Sequence, residues 1–332
     1  MRPRPFALAL LTAAAAVLAA TVAANILLDP QRVFGTPLVG IDENANYRYL
    51  RLRQYQAAAG TVDALLFASS RGRAFAPDIT AQSMGARAVG KFDVTAGMMT
   101  DHLPALQYVL RDKAARGERI KAVLLLLDVD SFGKLPATNV NIDSFLPPEE
   151  SGEHPVRFWW RYLTVFQLRM WRGMLAERWR GQLSARPMPS LVVAGFGPTQ
   201  LRLASAMAVP PTVPRAKLLV ATRPNLAAHV ELVRQFAALC RGHGVALTVA
   251  TTPMRADARS LYEPEDLRGV VERLSRVVPL WDFTEGDRIA TNPDYWDDFS
   301  HFNGSVAGMM LVRMYGGPPS SVGDFGVLRG GP

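Results

Sequence analysis

Two short segments at opposite ends of the folded region hold the residue types that acyl chemistry uses. Ser69 and Ser70 follow Phe67-Ala68 and precede Arg71, while Asp298 stands three residues before His301 in Asp298-Phe299-Ser300-His301. A hydroxyl attacking a carbonyl needs a base to take its proton and an acid to orient that base, and serine, histidine and aspartate supply those roles. Three-residue spacing on a helical turn or loop brings Asp298 and His301 to one side of the chain. Each segment also has a plainer reading. Serine is a common helix N-cap, and a single histidine is often simply solvated.

The remaining titratable residues narrow the choice. Among the five histidines, His102 opens an apparent helix and His154 lies in a proline-rich connection. His229 and His243 sit on or beside a helical surface pattern. None has a second His, Cys or acid at ligand spacing, so no metal site and no cofactor are expected. Cys240 is the sole cysteine and rules out an intrachain disulfide. It follows an apolar run at helical spacing and reads as a small buried hydrophobe.

The elements that must position these residues alternate along the chain. Residues 62–67, 122–127, 245–250 and 277–281 read as strands, and 103–115, 225–241 and 263–276 as helices, which predicts a parallel sheet with helices on both faces. Ligands of such sheets bind beyond the carboxyl ends of the strands. Ser70, Asp130, Thr251 and Asp282 follow successive strands and share that rim. A strand-to-helix turn at Ser69-Ser70 would lift a side chain above the sheet edge, with backbone N–H groups at the helix start available to an oxyanion.

A composition of 332 residues, 49% hydrophobic and 20% charged, fits one main globular α/β domain behind an apolar leader. Residues 6–28 carry no charge and are long enough to cross a bilayer, which takes about 20 residues. Arg2 and Arg4 before them keep that end in the cytoplasm and send the rest outward. A cleaved signal peptide ending near Val22-Ala23-Ala24 is the rival reading. Pro30 blocks continuation of the helix and Asp29 is disfavoured in hydrocarbon.

Residues 157–180 hold Trp159, Trp160, Trp171 and Trp179 among six arginines. Such a segment suits a membrane-surface helix, a lid, a glycan-contacting face, or an insertion helix packed on the domain. The formal charge of +8 falls to +6 without Arg2 and Arg4, which suits anionic headgroups or acidic polymers. Export past a membrane removes nucleic acid as a partner.

With these residues in view, the chain resembles the SGNH/GDSL-type hydrolase superfamily. The likeness is greatest to its membrane-anchored cell-envelope branch, related to polysaccharide O-acetylation proteins, and it covers most of the chain after residue 29. Ala68-Ser69-Ser70 looks like the first block, Phe92-Asp93-Val94-Thr95-Ala96-Gly97 like the second and Asp298-Phe299-Ser300-His301 like the last. Asn25 to Pro30, followed by Phe34-Gly35, looks like the branch's joint between anchor and domain.

The resemblance implies a three-layer α/β/α fold with a central parallel sheet, SGNH/flavodoxin-like, over residues 29–332. One transmembrane helix, or uncleaved signal, at 1–28 precedes it, and an aromatic and basic insertion spans about 133–215. It implies Ser70 as nucleophile, His301 as base, Asp298 as the acid orienting it, and the Ser70 and Gly97 N–H groups as oxyanion hole. Ser69, Arg71 and Asp130 are candidates to bind substrate, although Asp128 and Asp130 could equally cap the exit of their strand, the reading favoured here.

Two departures stand out. Ala68 replaces the usual glycine, and Asp128-Val129-Asp130 replaces the block that normally carries an asparagine donor; losing one oxyanion donor costs about 10²- to 10³-fold in rate. The implied activity is that of an outward-facing, membrane-anchored esterase or O-acyltransferase acting on cell-envelope glycan esters through an acyl-Ser70 intermediate. A polysaccharide or acyl ester would be its substrate, with a membrane-embedded acyl-transfer partner. The alternative is a catalytically silent relative that binds polysaccharide or an assembly partner.

Overall fold

The computed structural model describes residues 3–35, 45–133, 145–179, 223–316 and 325–330. Its strands are β1 (Ala64–Ala68), β2 (Val89–Asp93), β3 (Ala122–Leu127), β4 (Ala246–Thr251), β5 (Leu280–Asp282) and β6 (Val327–Arg329). Its helices are α1 (Pro3–Leu28), α2 (Tyr47–Ala58), α3 (Pro77–Ser83), α4 (Met99–Ala115), α5 (Pro148–Ser151), α6 (Pro155–Thr164), α7 (Leu168–Trp179), α8 (Arg223–Gly242), α9 (Ala256–Arg259), α10 (Pro264–Ser275), α11 (Asp287–Thr291) and α12 (Gly304–Tyr315).

The chain divides into two compact units, Met1–Leu50 with Asn139–Val192, and Arg51–Thr138 with Val193–Pro332. That division differs from the one expected at residue 28, because the residues after the leader group with the aromatic, basic segment. Residues 134–144 and 180–215 of the expected insertion lie outside the described residues.

The second unit is a mixed α/β structure around a six-stranded sheet in the order β2-β1-β3-β4-β5-β6. The first five strands run parallel, as expected of this sheet, and β6, which the sequence did not indicate, lies antiparallel against β5. Strand order reverses between β1 and β3, so the chain leaves these neighbours in opposite directions and opens a crevice at their carboxyl ends.

Both sheet faces are buried, as continuous apolar strands require. Leu65 and Phe67 of β1 join Leu106 and Val109 of α4, Val233 and Phe236 of α8 and Leu274 of α10 on one face. Leu66 and Ala68 join Phe75, Phe302 and, from α12, Val306 and Met310 on the other. Phe67 stacks on Phe92 at 5.0 Å and meets Phe236 edge-on at 5.3 Å.

Strand β2 went unread in the sequence because Lys91 and Asp93 interrupt its apolar character, yet both are buried. They compensate each other. Arg51 Nε lies 2.6 Å from Asp93 Oδ1 and Lys91 Nζ lies 3.4 Å from Oδ2, while Lys91 also donates to the Phe75 carbonyl at 2.9 Å. Burial alone would push the Asp93 carboxyl up, but Arg51 and Lys91 outweigh it and hold it below the usual carboxylate range.

In the first unit α1 ends where Asp29, at φ 41°, accepts the N–H groups of Val33 and Gly35 at 2.9 and 2.8 Å. Asn46 donates to the Phe145 carbonyl and the Tyr162 hydroxyl at 2.9 and 2.6 Å. Phe158 and Tyr162 of α6 are fully buried. Helix α1 is long and apolar enough to cross a membrane over Pro5–Leu28.

Asp93→Asn removes the anion shared by Arg51 and Lys91. Breaking a buried pair in this way costs about 3–5 kcal/mol, and urea denaturation of the detergent-solubilised chain should show that loss at neutral pH. Because the folded carboxyl is held below its unfolded value, its stabilisation is present above that value and lost as pH falls through the folded one. The gap between wild type and variant should therefore close on acidification.

Candidate active site

The buried run of β1 ends at Ala68, and the chain turns at once into a 3-10 turn over Ser70–Ala74. Ser69 caps this turn, with its Oγ accepting the Arg71 N–H at 3.2 Å, and is itself buried. Its oxygen therefore serves as the cap of the turn, a structural role beside the substrate-binding one considered for it. The cap expected from serine chemistry is real, and it frees the next serine. Ser70 stays partly exposed at the open start of the turn, where its own N–H has no partner within the turn. Gly72 must lack a side chain here, because a Cβ would collide with the Ala68 methyl and come within 3.0 Å of Asp93 Cβ.

Asp298 and His301 lie on a tight loop rather than a helix. Trp296 and Phe302 bridge its base, and Phe302 is buried against Phe75 and Trp296. Asn303 then caps α12 through the Ser305 N–H. The loop folds around the Asp298 carboxylate: Oδ1 accepts the N–H groups of Ser300 and His301 at 2.7 and 2.8 Å, and Oδ2 lies 2.7 Å from His301 Nδ1. Burial would raise this carboxyl, but the imidazole and the two backbone donors prevail and hold it far below the usual carboxylate range.

On the other side of the ring, His301 Nε2 lies 2.8 Å from Ser70 Oγ. Nδ1–H donates to Asp298, so Nε2 offers its lone pair to the serine proton. The fold therefore unites all three catalytic candidates. Ser70 Oγ can pass a proton to an imidazole whose tautomer and plane are set by an ionised aspartate. Ser300 adds a contact the sequence did not suggest. Its Oγ lies 3.3 Å from Asp298 Oδ1 and 3.1 Å from His301 Nδ1.

Arg71 and Asp130 pair with each other, which agrees with the structural reading favoured for Asp130 and differs from the substrate-binding role considered for Arg71. The Arg71 side chain is only 7% exposed, with Nη1 lying 2.8 Å from Asp130 Oδ1 and 3.2 Å from Asp128 Oδ1. Nη1 also donates to Thr252 Oγ1 at 3.2 Å, and Nε donates to the Ser300 carbonyl at 3.0 Å. Thr252 in turn donates to Asp128 Oδ1 at 2.7 Å. The guanidinium is used up in tying the ends of β1, β3 and β4 to the histidine loop. Burial disfavours its charge, but Asp128 and Asp130 more than reverse that. Arg71 and Asp130 are structural partners, not free substrate contacts. Thr252 escaped the sequence reading by one position, since Thr251 is the last residue of β4.

Gly97 also differs. Its N–H donates to the Val94 carbonyl at 3.0 Å, closing a turn in which Ala96 has φ 50°. A donor engaged in that way does not point at an oxyanion. Glycine is required at 97 for space, since a Cβ would meet His102 Cε1 at 3.0 Å and the Ala68 carbonyl at 3.1 Å. Of the expected oxyanion donors, the Ser70 N–H remains. His229, expected on a surface pattern, is buried with its ring 5.5 Å from that of Phe132.

Asp298→Asn should keep the loop but favour the wrong imidazole tautomer, lowering serine reactivity by about 10⁴-fold; the rate of labelling by a fluorophosphonate probe measures it. Arg71→Lys keeps a charge but loses the planar fork that reaches four partners. A shift of about 1 Å in the histidine loop would reduce the same labelling rate by about 10²-fold while circular dichroism stays that of the wild type. A comparison with protein-family models and with curated proteins found no match, so function has to be read from these side chains.

Proposed function

We propose that this chain is a serine-dependent carboxyl-ester hydrolase or O-acyltransferase of SGNH type, held to a membrane by α1 and facing outward, with cell-envelope glycan esters as substrates. One observation carries the reading: the Ser70 Oγ, His301 and Asp298 relay, with contacts of 2.8 and 2.7 Å. The strand order, the burial of both sheet faces and the placing of Ser70 at the strand reversal support a three-layer fold of that type.

The chemistry runs in two balanced halves. Ser70 Oγ bonds to the ester carbonyl carbon while its proton passes to His301 Nε2. The tetrahedral intermediate then breaks its bond to the alcohol oxygen, and the alcohol leaves with that proton. Water or a glycan hydroxyl next attacks the acyl-Ser70 carbonyl and gives its proton to His301. The acyl–Ser70 bond breaks, the proton returns to Ser70, and an acid or a new ester departs. A membrane-embedded partner would supply the acyl group in the transfer version.

A second reading, a catalytically silent envelope protein that binds polysaccharide or an assembly partner, is favoured by two observations. The Gly97 N–H is occupied by Val94 and no asparagine stands in the third block.

The full-length chain, incubated with a fluorophosphonate and read by intact mass, separates the two. We expect an adduct on the wild type that is lost in Ser70→Ala and His301→Ala. A folded wild type that forms no adduct overturns the enzymatic reading in favour of the binding role.

A further inference from the structure

The aromatic and arginine-rich segment plays no part in the relay, and its attachment to α1 gives it a place. Residues 5–20 of α1 are exposed on every side, a stretch of about 24 Å at 1.5 Å per residue. A bilayer core is about 30 Å thick and takes about 20 helical residues, so a span starting at Phe6 reaches about Asn25. That is beyond the point where α1 ceases to stand free. Thr21 and Asn25 are buried, and Asn25 is fixed to the junction of α6 and α7. Its amide donates to the carbonyls of Leu163 and Val165 at 3.0 and 2.9 Å, and its oxygen accepts from Trp171 Nε1 at 3.1 Å. The α6–α7 junction therefore stands level with the outer edge of the hydrocarbon.

The side chains at that level are the ones such a depth selects. Phe166, Leu168, Leu175 and Trp179 are 62, 50, 51 and 92% exposed. Positions 168, 175 and 179 fall on one stripe of α7 by helical spacing, next to the stripe on which Trp171 and Met174 are buried. Arg169 and Arg172, both exposed, border the exposed stripe on the side away from Trp171 and Met174. An apolar stripe with an aromatic end and an arginine border matches the acyl–headgroup boundary: the rings and leucines enter the acyl region and the guanidinium groups reach lipid phosphates.

We infer that α7 and the α6–α7 junction lie in the bilayer interface, with Phe166, Leu168, Leu175 and Trp179 in contact with lipid and Arg169 and Arg172 at the phosphates. This rests on the reading of α1 as a membrane anchor, and the occupant of the apolar stripe is the phospholipid surface itself, continuous with the lipid around α1.

Site-directed spin labelling tests it. The full-length chain with Cys240→Ala carries one introduced cysteine at a time, Leu11→Cys, Leu168→Cys, Leu175→Cys or Gly173→Cys, in phosphatidylethanolamine–phosphatidylglycerol nanodiscs. Gly173 lies on the side of α7 away from the stripe, and a Cβ there meets nothing within 4 Å. Collision with oxygen reports lipid, and collision with a water-soluble nickel chelate reports solvent. We expect the oxygen-to-nickel ratio at 11, 168 and 175 to exceed that at 173 several-fold. If position 11 is in lipid while 168 and 175 match 173, this inference falls and the anchor stands. If position 11 itself is in water, the anchor falls and takes the inference with it. Labels at 168 and 175 shielded from both reagents would mean that protein covers the stripe, which also overturns contact with lipid.

Discussion

Arg71 carries a charge into a site where it is 7% exposed, and the geometry around Ser70 follows from how that charge is satisfied. A guanidinium leaves water at a cost of several kcal/mol unless its donors are met in the right directions. Here Asp128 and Asp130 supply the countercharge from the end of β3, Thr252 an oxygen from the end of β4, and the Ser300 carbonyl an acceptor from the histidine loop. The next residue back is Ser70. One rigid planar group thus sets the distance between the nucleophile's turn and the base's loop, two segments that share no strand pairing. Lysine could supply the charge but not the fixed fork.

Asp128-Val129-Asp130, which stands where the resemblance implies an asparagine block, takes part in the same interaction. Two carboxylates at the exit of β3 would repel each other and any acyl oxyanion near them if left free. With Arg71 between them the local charge is far less negative, and neither carboxylate is left to face Ser70 unpaired. What the exchange does not restore is a donor for the oxyanion. With the Gly97 N–H held by Val94, the proposed chemistry would leave stabilisation of a tetrahedral intermediate to the Ser70 N–H and to groups that a substrate would bring with it.

The sequence made legible those features that depend on local pattern. The apolar runs of β1 and β3 and the helical periodicity of α4, α8 and α10 sit within a few residues of where pattern places them. The Asp298 and His301 pairing is likewise local, since three residues suffice to close a loop around a carboxylate. Strand β2 was hidden because Lys91 and Asp93 read as surface residues, and what compensates their burial is their own pairing together with the contact of Asp93 to Arg51, from before β1. Strand β6 is three residues of ordinary composition whose pairing rests partly on the Arg329 and Asp282 contact of 2.6 Å. Arg71 and Gly97 differ from the roles considered for them for one physical reason. A motif or a spacing tells which residues reach the rim, but not whether a donor that arrives there has already been taken by a neighbour.

Exposure is distributed unevenly across the site, and that unevenness bears on what the relay is for. Asp298, Arg71, Ser69 and Thr252 are all buried, whereas Ser70 and His301 remain partly open, the His301 side chain being 26% exposed. A serine–histidine contact serving stability alone gains little at an exposed surface, where water competes for both groups. Holding an ionised aspartate with two backbone N–H groups and an imidazole costs desolvation and loop entropy that a solvated loop would avoid. Rigid support beneath, with solvent access above, is the arrangement a proton-transfer pair needs in order to meet an incoming carbonyl. The buried framework makes sense as the means of keeping two atoms of partly open side chains 2.8 Å apart.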